Sequence, residues 1–161
     1  MARYAMVIRS YKTNLKSADE TADFAKDLST VLTGGDVILL TGDVGAGKTH
    51  FARSLIKNML GRDEDVPSPT FTLVQTYPCG DVDIWHADLY RLTSLYEIEE
   101  LGLVDAFETE ICLVEWPDRL GPLAPTHALN ITLGSGEDDE SRTLDATWSD
   151  PRWDMKLKVW E

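Results

Sequence analysis

The stretch Gly42-Asp43-Val44-Gly45-Ala46-Gly47-Lys48-Thr49 constrains this chain more than any other. Asp36 to Thr41, just before it, reads as a short strand around the apolar run Val37-Ile38-Leu39-Leu40, of the kind buried on both faces of a parallel sheet. After it, Phe51, Leu55, Ile56, Met59 and Leu60 recur at helical spacing until Gly61. Strand, glycine loop and helix therefore arrive in the order that a phosphate-binding loop requires. Gly42, Gly45 and Gly47 permit a tight backbone path in which successive amides face a phosphate. The helix beginning near Lys48 adds the positive end of its dipole, Lys48 supplies an ammonium, and Thr49 offers a hydroxyl to Mg²⁺. Residues 42–49, with His50 directly after them, are the expected nucleotide-binding stretch; His50 itself lies outside the phosphate and metal positions. A chance glycine turn explains neither the preceding buried strand nor the match at all the fixed positions of the loop.

A nucleotide-bound Mg²⁺ usually calls on an acid at the end of a neighbouring buried strand. Ile111-Cys112-Leu113-Val114-Glu115 fits, with Glu115 where the strand leaves the sheet, directly or through water. Thr49 and Glu115 are thus the candidate metal ligands. Asp88, within His86-Ala87-Asp88-Leu89-Tyr90, is the competing acid, held behind Glu115 or orienting water. Thr70, in Ser68-Pro69-Thr70, resembles a switch hydroxyl able to sense the γ-phosphate, though the same residues equally suit a plain strand entry. Thr70, Asp88 and Glu115 are all candidates for placing the attacking water. The guanine-selective Asn-Lys-x-Asp pattern is missing, which favours ATP. Trp116 suits stacking near the site or simple packing. The arginines are scattered and nothing resembles a lid, which weakens a small-metabolite kinase as the alternative. A nucleotide-gated binding module that needs no hydrolysis is the other one.

The remaining chain reads as α/β. Tyr4 to Arg9 suggests a strand, and Ser17-Ala18-Asp19-Glu20 has capping-box spacing for a helix running to Gly34-Gly35. Thr70 to Tyr77 and Val82 to Tyr90 suggest paired strands turned by Pro78-Cys79-Gly80-Asp81. Ser94 opens a second capped helix, and Glu110 to Trp116 is a buried strand. Ala128 to Leu133 and Arg142 to Trp148 suggest an antiparallel pair around the acidic Gly136-Glu137-Asp138-Asp139-Glu140-Ser141 tip. Pro151 to Glu161 suggests a further strand, covering a sheet edge or presenting a partner surface. The expectation is one domain over residues 1–161, a P-loop NTPase-like sandwich with a mainly parallel central sheet and antiparallel additions.

The 161 residues carry a net charge of −13, so the chain should repel phosphate backbones and grip nucleic acid poorly by itself. Its apolar runs are strand-sized, which argues against a membrane span, and no apolar stretch near the start suggests secretion. A cytoplasmic location is expected. Cys79 and Cys112 show no metal-ligand spacing, and Cys112 reads as a buried small hydrophobe.

Together, the loop and the segments Ser68-Pro69-Thr70-Phe71-Thr72-Leu73-Val74, His86-Ala87-Asp88-Leu89-Tyr90-Arg91-Leu92 and Ile111-Cys112-Leu113-Val114-Glu115-Trp116-Pro117 resemble the TsaE family over roughly residues 17 to 147. That resemblance implies an ATPase required for threonylcarbamoyl-adenosine formation in tRNA, which does not perform the transfer itself. It implies that TsaD and TsaB are partners, that tRNA is met only through their complex, and that hydrolysis is feeble without them. It also implies that Thr49 and Glu115 hold Mg²⁺, that residues 68–70 are switch-like, and that the first helix near Ser17 contributes to the nucleotide site. His50 departs from the second Thr common at that position of the family.

Overall fold

In the computed structural model, which describes residues 7–43, 45–62 and 64–161, the apolar run after Asp36 becomes a central strand, β2 (Val37–Thr41). Among the described residues seven strands form one sheet in the order β1-β7-β6-β2-β5-β4-β3. Its middle is parallel, β2 lying between β6 (Leu129–Ser135) and β5 (Ile111–Glu115), with β4 (Val82–Asp88) beyond β5. The flanks are antiparallel: β1 (Arg9–Leu15) on β7 (Arg142–Trp148), β7 on β6, and β3 (Val74–Cys79) on β4. This is the mixed α/β sandwich expected from the sequence.

Side chains alternate across β2, which explains why the run is wholly apolar. Ile38 and Leu40 join a core with Leu28 of α1 (Ala18–Ser29) and Phe51, Leu55 and Ile56 of α2 (Lys48–Leu60). Val37 and Leu39 join Cys112 and Val114 in a second core, against Ile98 of α3 (Leu95–Glu100) and Leu103 and Phe107 of α4 (Leu103–Thr109). Full burial of such a side chain stabilises by roughly 1.5–3 kcal/mol. Cys112 is accordingly a free, buried hydrophobe, and Cys79 is free as well. No helix among the described residues is long and apolar enough to cross a membrane.

Ser17 caps the first helix as expected, its Oγ accepting from the Glu20 amide at 3.1 Å, while Glu20 Oε2 accepts at 2.8 Å from the amide of Lys16, one residue before the cap. Ser94 caps α3 in the same way, accepting from the Glu97 amide at 3.3 Å. Gly61, left-handed at φ 67°, closes α2.

Several expectations need correction. Residues 4–6 of the anticipated first strand lie outside the described residues, Val7 and Ile8 make no ladder, and β1 starts at Arg9. Helix α1 ends at Ser29 rather than at the glycine pair. Gly34 serves a close approach instead, because a Cβ there would sit 2.6 Å from the Thr109 carbonyl oxygen. Thr70 to Leu73 is a turn and not strand; Leu73 has φ 69° and its amide donates to Pro69 O at 2.7 Å. Pro78 and Cys79 belong to β3, leaving Gly80 and Asp81 as the turn. A proline is tolerated there because β3 is the sheet edge, where the missing N–H costs no ladder bond. Helix α4 was not anticipated, although Leu103, Ala106 and Phe107 lie on one face of it.

The last segment is helical: α5 (Arg152–Lys156) runs into a 3₁₀ turn over Leu157–Trp160. Trp153, Leu157 and Trp160 recur at helical spacing and all three are buried. Trp153 Nε1 donates to His127 O at 2.8 Å, and Trp160 Nε1 donates to Phe24 O at 3.0 Å. The buried carboxylate of Asp36 is met by Arg152 at 3.3 Å and by Lys156. This segment thus closes the core beside α1.

Candidate functional site

The site is built at the carboxyl ends of β2, β5 and β4, where parallel sheets offer their crevices. Strand β2 hands the chain to Gly42, where a Cβ would lie 2.6 Å from Leu133 O, so the loop can leave the sheet only through glycine. Gly45 and Gly47 have φ 84° and 97°, and the Ala46 amide donates to Asp43 O at 2.9 Å. Gly47 opens α2 with no side-chain cap and no acid in the first turn. The helix's first amides are therefore left for an anion.

Lys48 is almost fully buried. Its ammonium donates to Gly42 O and, at 3.3 Å, to Asp43 O, and lies 4.1 Å from the Trp116 ring centroid. Burial lowers its pKa from 10.5, against the opposing pull of Glu115, Asp88, Asp43 and Asp118. Thr49, one residue on, donates its hydroxyl to Glu115 Oε1 at 3.0 Å. Glu115 Oε2 lies 2.7 Å from His86 Nε2. On β4, paired in register with Glu115, Asp88 accepts from Thr70 Oγ1 at 3.3 Å and from the Tyr90 amide at 3.0 Å. Thr70 Oγ1 is also 2.8 Å from Ser68 Oγ. The strand-end acids and the Ser-Pro-Thr turn thus meet around the start of α2.

These groups line a cleft of about 400 Å³, bounded by Asp43, Gly45, Gly47, Lys48, Thr49, His50, Thr70, Asp88, Tyr90, Glu115 and Trp116. Tyr90 and Trp116 pack with centroids 4.8 Å apart, and Trp116 holds a left-handed backbone at φ 57°. Such a conformation is uncommon for a bulky residue and places the ring against Lys48. Of the candidates read from sequence, Gly42 and Ala46 shape the loop without lining the cleft, and Val44 lies outside the described residues. His50 Nε2 is 3.0 Å from Ala18 O, tying the starts of α1 and α2. Ser17 does not line this cleft, since its hydroxyl caps α1.

Sequence reasoning missed Arg142. Its guanidinium donates to Ala46 O at 3.0 Å and Gly45 O at 3.1 Å, and also to Asp139 O and Ser141 O at 2.7 Å each. It belongs to a hairpin far along the chain, and no local pattern signals the contact. Arg142 also lines an adjoining cleft of about 680 Å³ with Asn14, Lys16, Glu137, Asp138 and neighbours. His86 was legible only as part of a motif; a histidine two residues before an acid on a buried strand shares that acid's face.

A match to the family described as "Threonylcarbamoyl adenosine biosynthesis protein TsaE" extends over residues 15–144 and takes in every group of the cleft. The chain belongs to the TsaE family. The TsaE protein of Rickettsia bellii is 41% identical over 135 residues, covering 84% of this chain and 94% of that protein. The TsaE protein of Bacillus subtilis is 35% identical over 149 residues, covering 92% of each. The crystal structure of Bacillus subtilis YdiB superposes with a TM-score of 0.77 at 28% identity, covering 96% of this chain and 95% of that one. Membership ties the chain to the biosynthesis of threonylcarbamoyladenosine in tRNA. It agrees with the resemblance carried by the four sequence segments.

Proposed function

We propose that this TsaE-family chain is a Mg²⁺-dependent ATPase that supports threonylcarbamoylation of tRNA adenosine by acting on a TsaD–TsaB complex, without performing the transfer. The observation that carries the reading is the placement of Thr49 Oγ1 and Glu115 Oε1 3.0 Å apart beside the loop and Lys48. Mg²⁺ favours hard oxygen donors and is commonly held by one or two protein oxygens plus the nucleotide's phosphates. Thr49 and Glu115 are such a pair, and they would hold it. When bound there, Mg²⁺ would supply charge neutralisation for the phosphates.

The chain's own groups supply the rest. The loop amides and the start of α2 receive the phosphates, and Lys48 moves from the Gly42 and Asp43 carbonyls to a phosphate oxygen. Asp88, held by Thr70 and the Tyr90 amide, accepts the proton of a water that attacks the γ-phosphorus. The bond to the β–γ bridging oxygen breaks, giving ADP and inorganic phosphate. Thr70 couples that event to the 68–73 turn on the surface. The Trp116 ring walls the lysine from solvent. The missing Asn-Lys-x-Asp pattern favours adenine. The net charge of −13 suits a protein whose partners, and not itself, hold the tRNA.

The test is phosphate release from ATP with Mg²⁺, measured for the purified chain alone and with TsaD and TsaB. Slow release alone and a marked rise with the partners are expected. Fast turnover that the partners do not change would remove the partner-dependent reading.

A further inference from the structure

Parallel pairing aligns Asp88 with Glu115 and His86 with Leu113, so His86, Asp88 and Glu115 all point from one face of the sheet toward α2. His86 is completely buried, and its Nδ1 meets no hydrogen-bond partner among the described residues. Among the described residues its one polar link is Nε2 to Glu115 Oε2 at 2.7 Å, short for an N–H···O bond, as expected with a charged acceptor. A carboxylate accepts and does not donate, so the ring hydrogen belongs on Nε2. The other oxygen of the same carboxylate accepts from Thr49. Each oxygen of Glu115 therefore has its own fixed donor, one on α2 and one on β4.

We propose that His86 is a positioning residue for the metal site. It holds Glu115 by Oε2, so that Oε1 stays beside the Thr49 hydroxyl. Without it, a glutamate with three rotatable bonds at the end of a strand is free to leave that geometry. A buried lone nitrogen left unpaired at Nδ1 is a cost to folding. A residue kept for packing alone would be better served by leucine. The inference rests on the reading of Thr49 and Glu115 as metal ligands. Loss of a hydrogen-bonding group behind a metal ligand typically lowers metal affinity about 10–100-fold.

The experiment is a Mn²⁺ titration, followed by electron paramagnetic resonance, of the whole chain saturated with ADP, alongside ADP affinity in EDTA. His86→Leu should weaken Mn²⁺ binding by about 10–100-fold while leaving metal-free ADP affinity within about 3-fold of wild type. His86→Gln, whose amide nitrogen reaches the place of Nε2, should restore most of the loss. In a Glu115→Ala background, His86→Leu should change Mn²⁺ affinity no further, because it acts through that carboxylate. Should His86→Leu fail to fold, His86→Asn, whose nitrogen falls at the Nδ1 position, replaces it and must bind Mn²⁺ more weakly than His86→Gln. Equal Mn²⁺ affinity in wild type and His86→Leu would overturn the inference while leaving the metal site standing. Equal weakness of the Gln variant and the Leu or Asn variant would overturn it too, by assigning the effect to the ring's packing. If the protein adds nothing to Mn²⁺ binding by ADP, the metal-site reading and this inference fall together.

Discussion

Lys48 and Cys112 show how burial at single residues bears on stability and on pH. The ammonium of Lys48 is desolvated, which lowers its pKa from 10.5. Between the lowered value and 10.5 the unfolded chain holds a proton that the folded chain has lost, so this residue's contribution to stability rises with pH across that window. Below that window the ammonium is charged in both states and carries its desolvation cost into the fold. Lys48→Met should therefore melt higher than wild type without nucleotide, by about 2–4 °C for each kcal/mol relieved, and lose ATP binding. Calorimetry with and without ATP reads both, and a lower melting temperature without ATP would contradict the assignment. Cys112 behaves oppositely: burial first, and the nearby Glu110 second, push its thiol up to about 12. Above pH 9 the unfolded thiol ionises while the folded one does not, so stability falls as pH rises toward 12. The slope approaches about 1.4 kcal/mol per pH unit for this one group. Urea midpoints at pH 8 and pH 10 should diverge more for wild type than for Cys112→Ala, and equal divergence would show that the thiol ionises in the fold.

At the scale of elements, β2, the loop and α2 were legible because each is specified locally, by an apolar run, fixed glycines and helical spacing. That Glu115 and Asp88 reach the cleft was legible for a related reason, since an acid closing a buried strand is visible in one line of sequence. Arg142 was not, because its contacts with Gly45 and Ala46 join positions 97 and 96 residues apart. The tail carries two signals, tryptophans that favour strand by propensity and Trp153, Leu157 and Trp160 at helical spacing, and the burial of all three follows the spacing. Two predictions belong here. Gly42→Ala should disrupt the loop, since its methyl would meet backbone at 2.6 Å, whereas Gly61→Ala meets nothing within 4 Å. Gly61→Ala should cost about 1 kcal/mol from its left-handed backbone, and Gly42→Ala about 1–3 kcal/mol together with loss of ATP binding. Denaturant unfolding and nucleotide titration distinguish them, and an ATP affinity unchanged by Gly42→Ala would contradict the loop's role. Trp153→Ala should cost about 3–5 kcal/mol, as for other buried tryptophans, while leaving the metal-free nucleotide affinity of the folded fraction intact. A cost under about 1 kcal/mol would show that the tail is dispensable to the core.

For the whole molecule, charge and ligand dominate. With a net charge of −13, the chain alone should leave tRNA unbound at physiological salt, and filter binding that retained tRNA without partners would contradict the division of labour proposed. ATP with Mg²⁺ at 100 times its Kd should raise stability by about 2.7 kcal/mol. On the proposed function, hydrolysis that depends on Glu115, and not nucleotide binding alone, serves tRNA modification. The most direct measurement is reconstituted threonylcarbamoylation with TsaD, TsaB, their substrates and either wild-type chain or Glu115→Ala, scored for modified adenosine over many turnovers. Glu115→Ala should lose both phosphate release and sustained modification. Full modification by Glu115→Ala with hydrolysis abolished would contradict it, and would make the chain a nucleotide-gated binding module.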